Sequence, residues 1–256
     1  MVTIFGDSLT GNRFGISYRR YMEGDFSFRG IDGQDSLQIL HRASAYVQRN
    51  PDATVVVEGG GNDILDICRN WGCLPPRKPE GKNVTFEDIQ DWGLRNSVQN
   101  HVVNFLEKEG FEGILNPVLE QAGKFTAVLE KLGSKAKIFV CSVTVISENP
   151  DSLFNRLARE WNTALKNQIG EDRWIDLHTP LLQYCKGNSS FLGGSLDELM
   201  QDRALIGDSE ENATAMSEKR GLGITVDGIH MNVQGARIIA HAIMDKQLNL
   251  TSLLEE

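Results

Sequence analysis

The sequence predicts an α/β protein, a three-layer α/β/α sandwich whose five-stranded parallel sheet carries helices on both faces. Two observations lead there. Short, continuous β-branched or apolar runs alternate with longer stretches whose apolar residues recur at helical spacing. The short runs are apolar throughout rather than every second residue, as strands buried on both faces require. No repeat, low-complexity tract or proline-rich linker divides the chain. A single domain over residues 1–256 follows.

Each element has its own warrant. Val2–Phe5 is an apolar strand ending at a turn, and Phe26–Arg29 is a weaker strand. Leu37, Leu40, Ala43 and Val47 then mark one face of a helix. Thr54–Val57 is β-branched and suits the centre of the sheet. Ile138–Cys141 and Trp174–Leu177 are two more strands of that kind, with a helix between them carrying Leu153, Leu157, Trp161 and Leu165 on one stripe. The last helix takes Asn232 as N-cap and buries Val233, Ala236, Ala240 and Ile243. Between the third and fourth strands there is more chain than one crossover needs. Leu115, Val118, Ala122, Phe125, Leu129 and Leu132 form the crossover helix. About residues 67–113 are then an insertion, with a helix through Val98, Val102 and Leu106. A second insertion, about 183–225, is polar, glycine-bearing and weakly periodic.

Composition removes several function classes. At 256 residues and 40% hydrophobic content the chain can bury a large core, which excludes global disorder. Lysine and arginine number 26 against 35 acidic residues, a net charge of -9, so a phosphate-neutralising surface is not expected and nucleic acid is excluded as partner. No run reaches the roughly 20 apolar residues of a membrane span. Met1 to Phe5 runs into Gly6-Asp7-Ser8 without a signal peptide, which predicts a cytoplasmic protein, or a secreted one whose leader has been removed. In a secreted chain the Asn-x-Ser/Thr triplets at Asn83, Asn188, Asn212 and Asn249 would matter. Four cysteines are too few for a stapled scaffold; Cys68 and Cys73 share a loop and could bridge in an oxidising compartment, but without a leader are expected as free thiols. Nothing in the sequence sets the oligomeric state.

Parallel α/β sheets bind ligands at the carboxyl ends of their strands, so the residues there carry the chemistry. Gly6-Asp7-Ser8-Leu9 follows the first strand and Gly59-Gly60-Gly61-Asn62-Asp63 the third. Asp227-Gly228-Ile229-His230 stands just before the last helix. A serine hydroxyl needs a base to take its proton, and histidine is tuned for that near neutral pH. Asp227, three residues before His230, can hold the imidazole tautomer. The bland readings are that Ser8 caps a helix, that Asp7 makes only a turn bond, and that Asn62 is a left-handed turn residue. His41, His101, His178 and His241 have no partnered motif and read as structural or solvated. Trp71, Trp92, Phe191 and Met200, in or beside the insertions, either line a pocket or pack the insertions down.

These motifs resemble those of the SGNH (GDSL) hydrolases, serine esterases and lipases, over the scaffold from end to end. The match rests on Gly6-Asp7-Ser8-Leu9, Gly60-Gly61-Asn62-Asp63 and Asp227 to His230, with a weaker glycine motif at Gly30-Ile31-Asp32-Gly33. The resemblance implies a flavodoxin-like fold with Ser8 as nucleophile, His230 as general base and acid, and Asp227 as its orienting partner. It implies an oxyanion hole from the N–H groups of Ser8 and Gly33 and the Asn62 amide, with no cofactor and no metal. The expected substrate is a small-molecule, short-acyl ester, an acetyl group on a small or carbohydrate alcohol. Acyl transfer at the same site, or a non-catalytic sugar- or acyl-binding module, are the alternatives.

Overall fold

A computed structural model of the chain describes residues 1–11, 13–74, 95–132, 136–187, 192 and 196–252. The strands are β1 (Val2–Gly6), β2 (Phe26–Gly30), β3 (Thr54–Val57), β4 (Lys137–Cys141) and β5 (Trp174–Ile175). They form one sheet in the order β2-β1-β3-β4-β5, every pair parallel. The principal helices are α1 (Ser8–Gly11), α2 (Ser36–Arg49), α3 (Gly61–Asn70), α4 (Arg95–Leu129), α5 (Leu153–Ile169), α6 (His178–Leu182), α7 (Leu196–Ile206), α8 (Glu210–Arg220) and α9 (Val233–Ser252).

The pleat of the sheet divides the core in two. Phe5, Val55, Val57, Ile138 and Val140 point to one face, where α2, α3, α4 and α5 supply Leu40, Ile64, Val118 and Trp161. Val2, Ile4, Val56, Phe139 and Cys141 point to the other, against Ala236, Ile239 and Ile243 of α9. Both faces of the inner strands are thus covered, which is why their sequences are apolar without a break. The order reverses between β1 and β3, the switch point where such sheets leave a crevice.

Two predicted boundaries shift by more than one residue. β5 ends at Ile175 rather than Leu177, because the N–H groups of Leu177 and His178 turn to Ser142 Oγ at 2.7 and 2.9 Å. The insertion helix and the crossover helix run on as α4, broken only at Gly110, whose φ of 71° and ψ of 175° lie outside the helical region. The break falls three residues before the expected limit at Gly113. Residues 75–94, which hold Asn83 and Trp92, lie outside the described residues, as do Asn188 and Phe191. The second insertion holds two helices, α7 and α8, that its weak periodicity did not disclose. Asp202 of α7 and Arg220 of α8 pair through both guanidinium nitrogens at 2.7 Å. Among the described residues no helix is long and apolar enough to cross a membrane.

Candidate active site

Ser8 is the first residue of α1, directly after β1, so its N–H has no acceptor within the helix. Asp7 makes the turn: its Oδ1 accepts from the Leu9 N–H at 3.0 Å. Gly6 ahead of it has no room for a side chain, since a Cβ there would meet Thr10 and Glu58. The Ser8 hydroxyl is not used as a cap. Its Oγ lies 3.0 Å from His230 Nε2, across 222 residues of sequence.

His230 stands in a tight turn built on Asp227. Asp227 Oδ1 accepts from the Ile229 and His230 N–H groups at 2.9 and 2.7 Å, and Oδ2 lies 2.6 Å from His230 Nδ1. That contact leaves Nε2 as the ring nitrogen facing Ser8. The Phe14 ring covers the imidazole at a centroid distance of 5.1 Å. Burial by itself lowers the imidazole pKa, but the Asp227 carboxylate outweighs it and holds the group above its ordinary 6.5. Burial likewise raises Asp227, and the charge and hydrogen bonds of His230 overcome this to hold it below its usual value.

Asn62 is the second residue of α3, and the left-handed position of its turn is Gly60, with φ 105°. Gly60 is tightly surrounded, since a Cβ there would meet Val143 and Trp161. The Asn62 amide donates to Gln34 O at 3.0 Å and to Asp7 Oδ2 at 3.3 Å. Gly33, φ 73°, sits in the turn that Gln34 leaves toward α2, and its N–H meets no acceptor among the described residues. Gly33 is exposed. Asp63 is buried and structural: it accepts from Ser36 N, Ser36 Oγ and Gln121 Nε2, joining α3 to α2 and α4.

A cavity of about 20 Å³ opens beside these groups, lined among others by Ser8, Asn62, Leu65, Val143, Ile146 and Ile229. Gly33 does not line it. Sequence reasoning missed two acids here. Glu58, at the end of β3, is buried and accepts from Thr10 Oγ1 at 3.0 Å. Burial, and then Asp7, push its carboxyl well above the ordinary value, while Asp7 itself is pushed up to about 6, chiefly by burial. Glu148, after β4, is the second. For Glu58 the signal was an acidic residue directly after an apolar strand; Glu148, seven residues beyond β4, left none.

The other candidates lie elsewhere. His41 and His241 are exposed on α2 and α9, and His178 is buried at the start of α6. His101 belongs to α4. Trp71 is exposed after α3, and Met200 of α7 lies 3.9 Å from Arg13 Nη2. All four cysteines are free. Among the described residues no group of three histidine, cysteine or acidic side chains is arranged to hold a metal.

No curated protein matches the chain in sequence. Solved structures similar in fold include two hydrolases. A lipase from a goat rumen metagenome is 16% identical with a TM-score of 0.51, covering 96% of each chain. An acetyl xylan esterase from Geobacillus stearothermophilus is 15% identical with a TM-score of 0.50, covering 96% of this chain and 93% of its own. The GDSL-like lipase/acylhydrolase family matches residues 2–243. With that match over most of its length, and the parallel α/β/α sandwich beneath it, the chain belongs to the GDSL-like lipase/acylhydrolase family.

Proposed function

We propose that the protein hydrolyses a short-acyl ester, an acetyl ester of a small or carbohydrate alcohol, through an acyl-enzyme on Ser8. The observation that carries this reading is the unbroken chain from Ser8 Oγ to His230 Nε2 and from His230 Nδ1 to Asp227, at 3.0 and 2.6 Å. His230 takes the hydroxyl proton as Ser8 Oγ bonds to the ester carbonyl carbon, and Asp227 stabilises the imidazolium. The carbonyl oxygen becomes an oxyanion facing the N–H groups of Ser8 and Gly33 and the Asn62 amide. The 3.3 Å bond from Asn62 to Asp7, the longer of its two, is the one this oxygen replaces. The intermediate collapses, the C–O bond to the alcohol breaks, and His230 returns its proton to the leaving oxygen. Water then repeats the sequence on the acyl-enzyme and releases the acid.

The cavity supports the acyl length. At about 20 Å³ it offers little more room than one water molecule needs, which suits a single methyl group. The test is Ser8→Ala together with an organophosphonate and a series of nitrophenyl esters and acetylated sugars. The reading requires one phosphonate adduct, on Ser8, and a loss of about 10⁴-fold or more in kcat in Ser8→Ala. A folded Ser8→Ala protein that keeps a few per cent of the activity refutes it. Absence of adduct and turnover in the wild-type protein would point to a binding module. Ester exchange onto an added alcohol in preference to hydrolysis would mark an acyltransferase.

A further inference from the structure

Glu148 is wholly buried, yet no step above uses it. It lies in the loop between β4 and α5, and among the described residues every hydrogen-bond partner of its side chain is a donor. Oε1 accepts from Ile224 N at 2.8 Å, Thr225 N at 2.8 Å and Thr225 Oγ1 at 2.7 Å. Oε2 accepts from Gly223 N at 2.5 Å and Lys186 N at 3.4 Å. Five donors and no acceptor match an acceptor-only group, an ionised carboxylate. The nearby Cys185 thiol is pushed up to about 12, first by burial and then by the Glu148 charge, so it adds no second negative charge there.

All of these donors but Lys186 N belong to the segment that enters the Asp227–His230 turn. The Thr225 hydroxyl, donating to Glu148, accepts in turn from the Gly228 N–H at 3.1 Å. The carbonyl of Gly228 accepts from Ser147 N at 2.7 Å. Gly228 is therefore gripped at both ends of its own backbone by the β4–α5 loop, directly or through Thr225. Val226 N donates to His230 O at 2.8 Å and closes the turn behind it. The loop that does the gripping is rigid in its turn: Asn155 of α5 bonds Ile146 N, Ser147 O and Asn149 O at 2.8 to 2.9 Å.

We propose that Glu148 is a positioning residue, a buried carboxylate clamp that fixes residues 223–228 so that Asp227 and His230 meet Ser8 at bonding distance. The inference rests on the triad reading for its catalytic consequence, but the clamp itself is a statement about geometry. Backbone N–H groups held by one carboxylate move as a unit. Releasing them displaces the imidazole, and a misplacement of about 1 Å can cost about 10²-fold in rate.

The test uses the full chain with Glu148→Gln, which keeps shape and volume but turns an NH₂ group toward N–H donors. Thr225→Val removes only the relay to Gly228, and Thr225→Ser restores it. Folding is checked by cooperative thermal unfolding, catalysis by kcat and KM on nitrophenyl acetate, and geometry by the NMR resonance of the His230 Nδ1 proton. Glu148→Gln is expected to lower kcat on the order of 10²-fold with KM nearly unchanged. Thr225→Val should lower it about tenfold, one hydrogen bond's worth, with recovery in Thr225→Ser. In both weakened variants the Nδ1 proton resonance shifts or broadens, and the midpoint of the kcat/KM pH profile moves down toward 6.5 as Asp227 loosens its hold. If Glu148→Gln does not fold, the Thr225 pair decides. The clamp is overturned if folded variants keep the wild-type kcat and resonance, or if only KM changes. Should Ser8→Ala prove active, the triad reading fails, while the Nδ1 resonance still passes judgement on the clamp.

Discussion

The acyl length proposed for the cavity beside Ser8 permits a quantitative test. Its volume of about 20 Å³ admits the methyl of an acetyl group between Leu65, Val143, Ile146 and Ile229. A butyryl group carries two more methylenes, and if both were buried they would add about 1.6 kcal/mol, roughly 15-fold in kcat/KM. The wild-type walls deny that gain, and forcing a methylene among packed side chains costs about 1–3 kcal/mol instead. Acetate should therefore exceed butyrate by about tenfold or more in kcat/KM, with octanoate weaker still. Leu65→Ala removes one wall. By relieving the overpacking cost and burying the added methylenes it should raise the butyrate-to-acetate ratio by about tenfold or more, while lowering stability by about 2–5 kcal/mol, since Leu65 is buried. The assay is initial rates on nitrophenyl esters of two to eight carbons, at a temperature where both proteins are folded. A steady wild-type rise to eight carbons would refute the reasoning, and so would an unmoved ratio in Leu65→Ala.

Further outcomes can be measured on the same protein. kcat/KM should rise with pH through one ionisation with its midpoint above 6.5, because His230 must be neutral to act and Asp227 favours its charged form; Asp227→Asn should lower both the rate and that midpoint. Asn62→Ala should reduce kcat by about 10²–10³ with little change in KM, the usual loss for one oxyanion donor. The mechanism routes no step through a metal, so prolonged treatment with a chelator should leave the rate unchanged, and a collapse reversed by zinc would count against it. Asp7 titrates at about 6 when folded and near 3.8 when unfolded, so the folded state keeps a proton that the unfolded chain has released between those values. Stability to urea should thus decline as pH rises from about 4 to about 6, and Asp7→Asn should flatten the decline while leaving an acceptor for the Leu9 N–H.

The sheet was legible because its strands are buried on both faces. Val55, Val56 and Val57 must all be apolar when alternate residues feed separate cores, so the central strands leave a plain trace in sequence. The helices of the second insertion left a fainter one. α8 buries only Ala213 and Ser217, too narrow a stripe for periodicity to register. Its ends were readable all the same: Ser209 caps it, Glu210 and Glu211 open it, Lys219 and Arg220 close it, and Gly221 takes the left-handed position after it. Ser8, Asn62, Asp227 and His230 could be named because each lies in a short motif at a strand end or helix start. Their distances could not, nor could Glu148, most of whose partners lie about 75 residues away and are backbone groups that any residue would offer.

The pairing of Ser8 with His230 joins the first strand's end to the last helix's beginning, 222 residues apart. Every strand can therefore be in place before Ser8 meets His230. During synthesis residue 8 emerges long before residue 230, so the Ser8 hydroxyl waits without His230 on a half-made sheet. In refolding, the return of turnover times the docking of residues 223–231, a slower clock than secondary structure, because so distant a loop closes late. Circular dichroism and esterase activity, followed together after dilution from denaturant, should recover on separate schedules. A protease cut between α8 and α9 would stop the second while sparing much of the first.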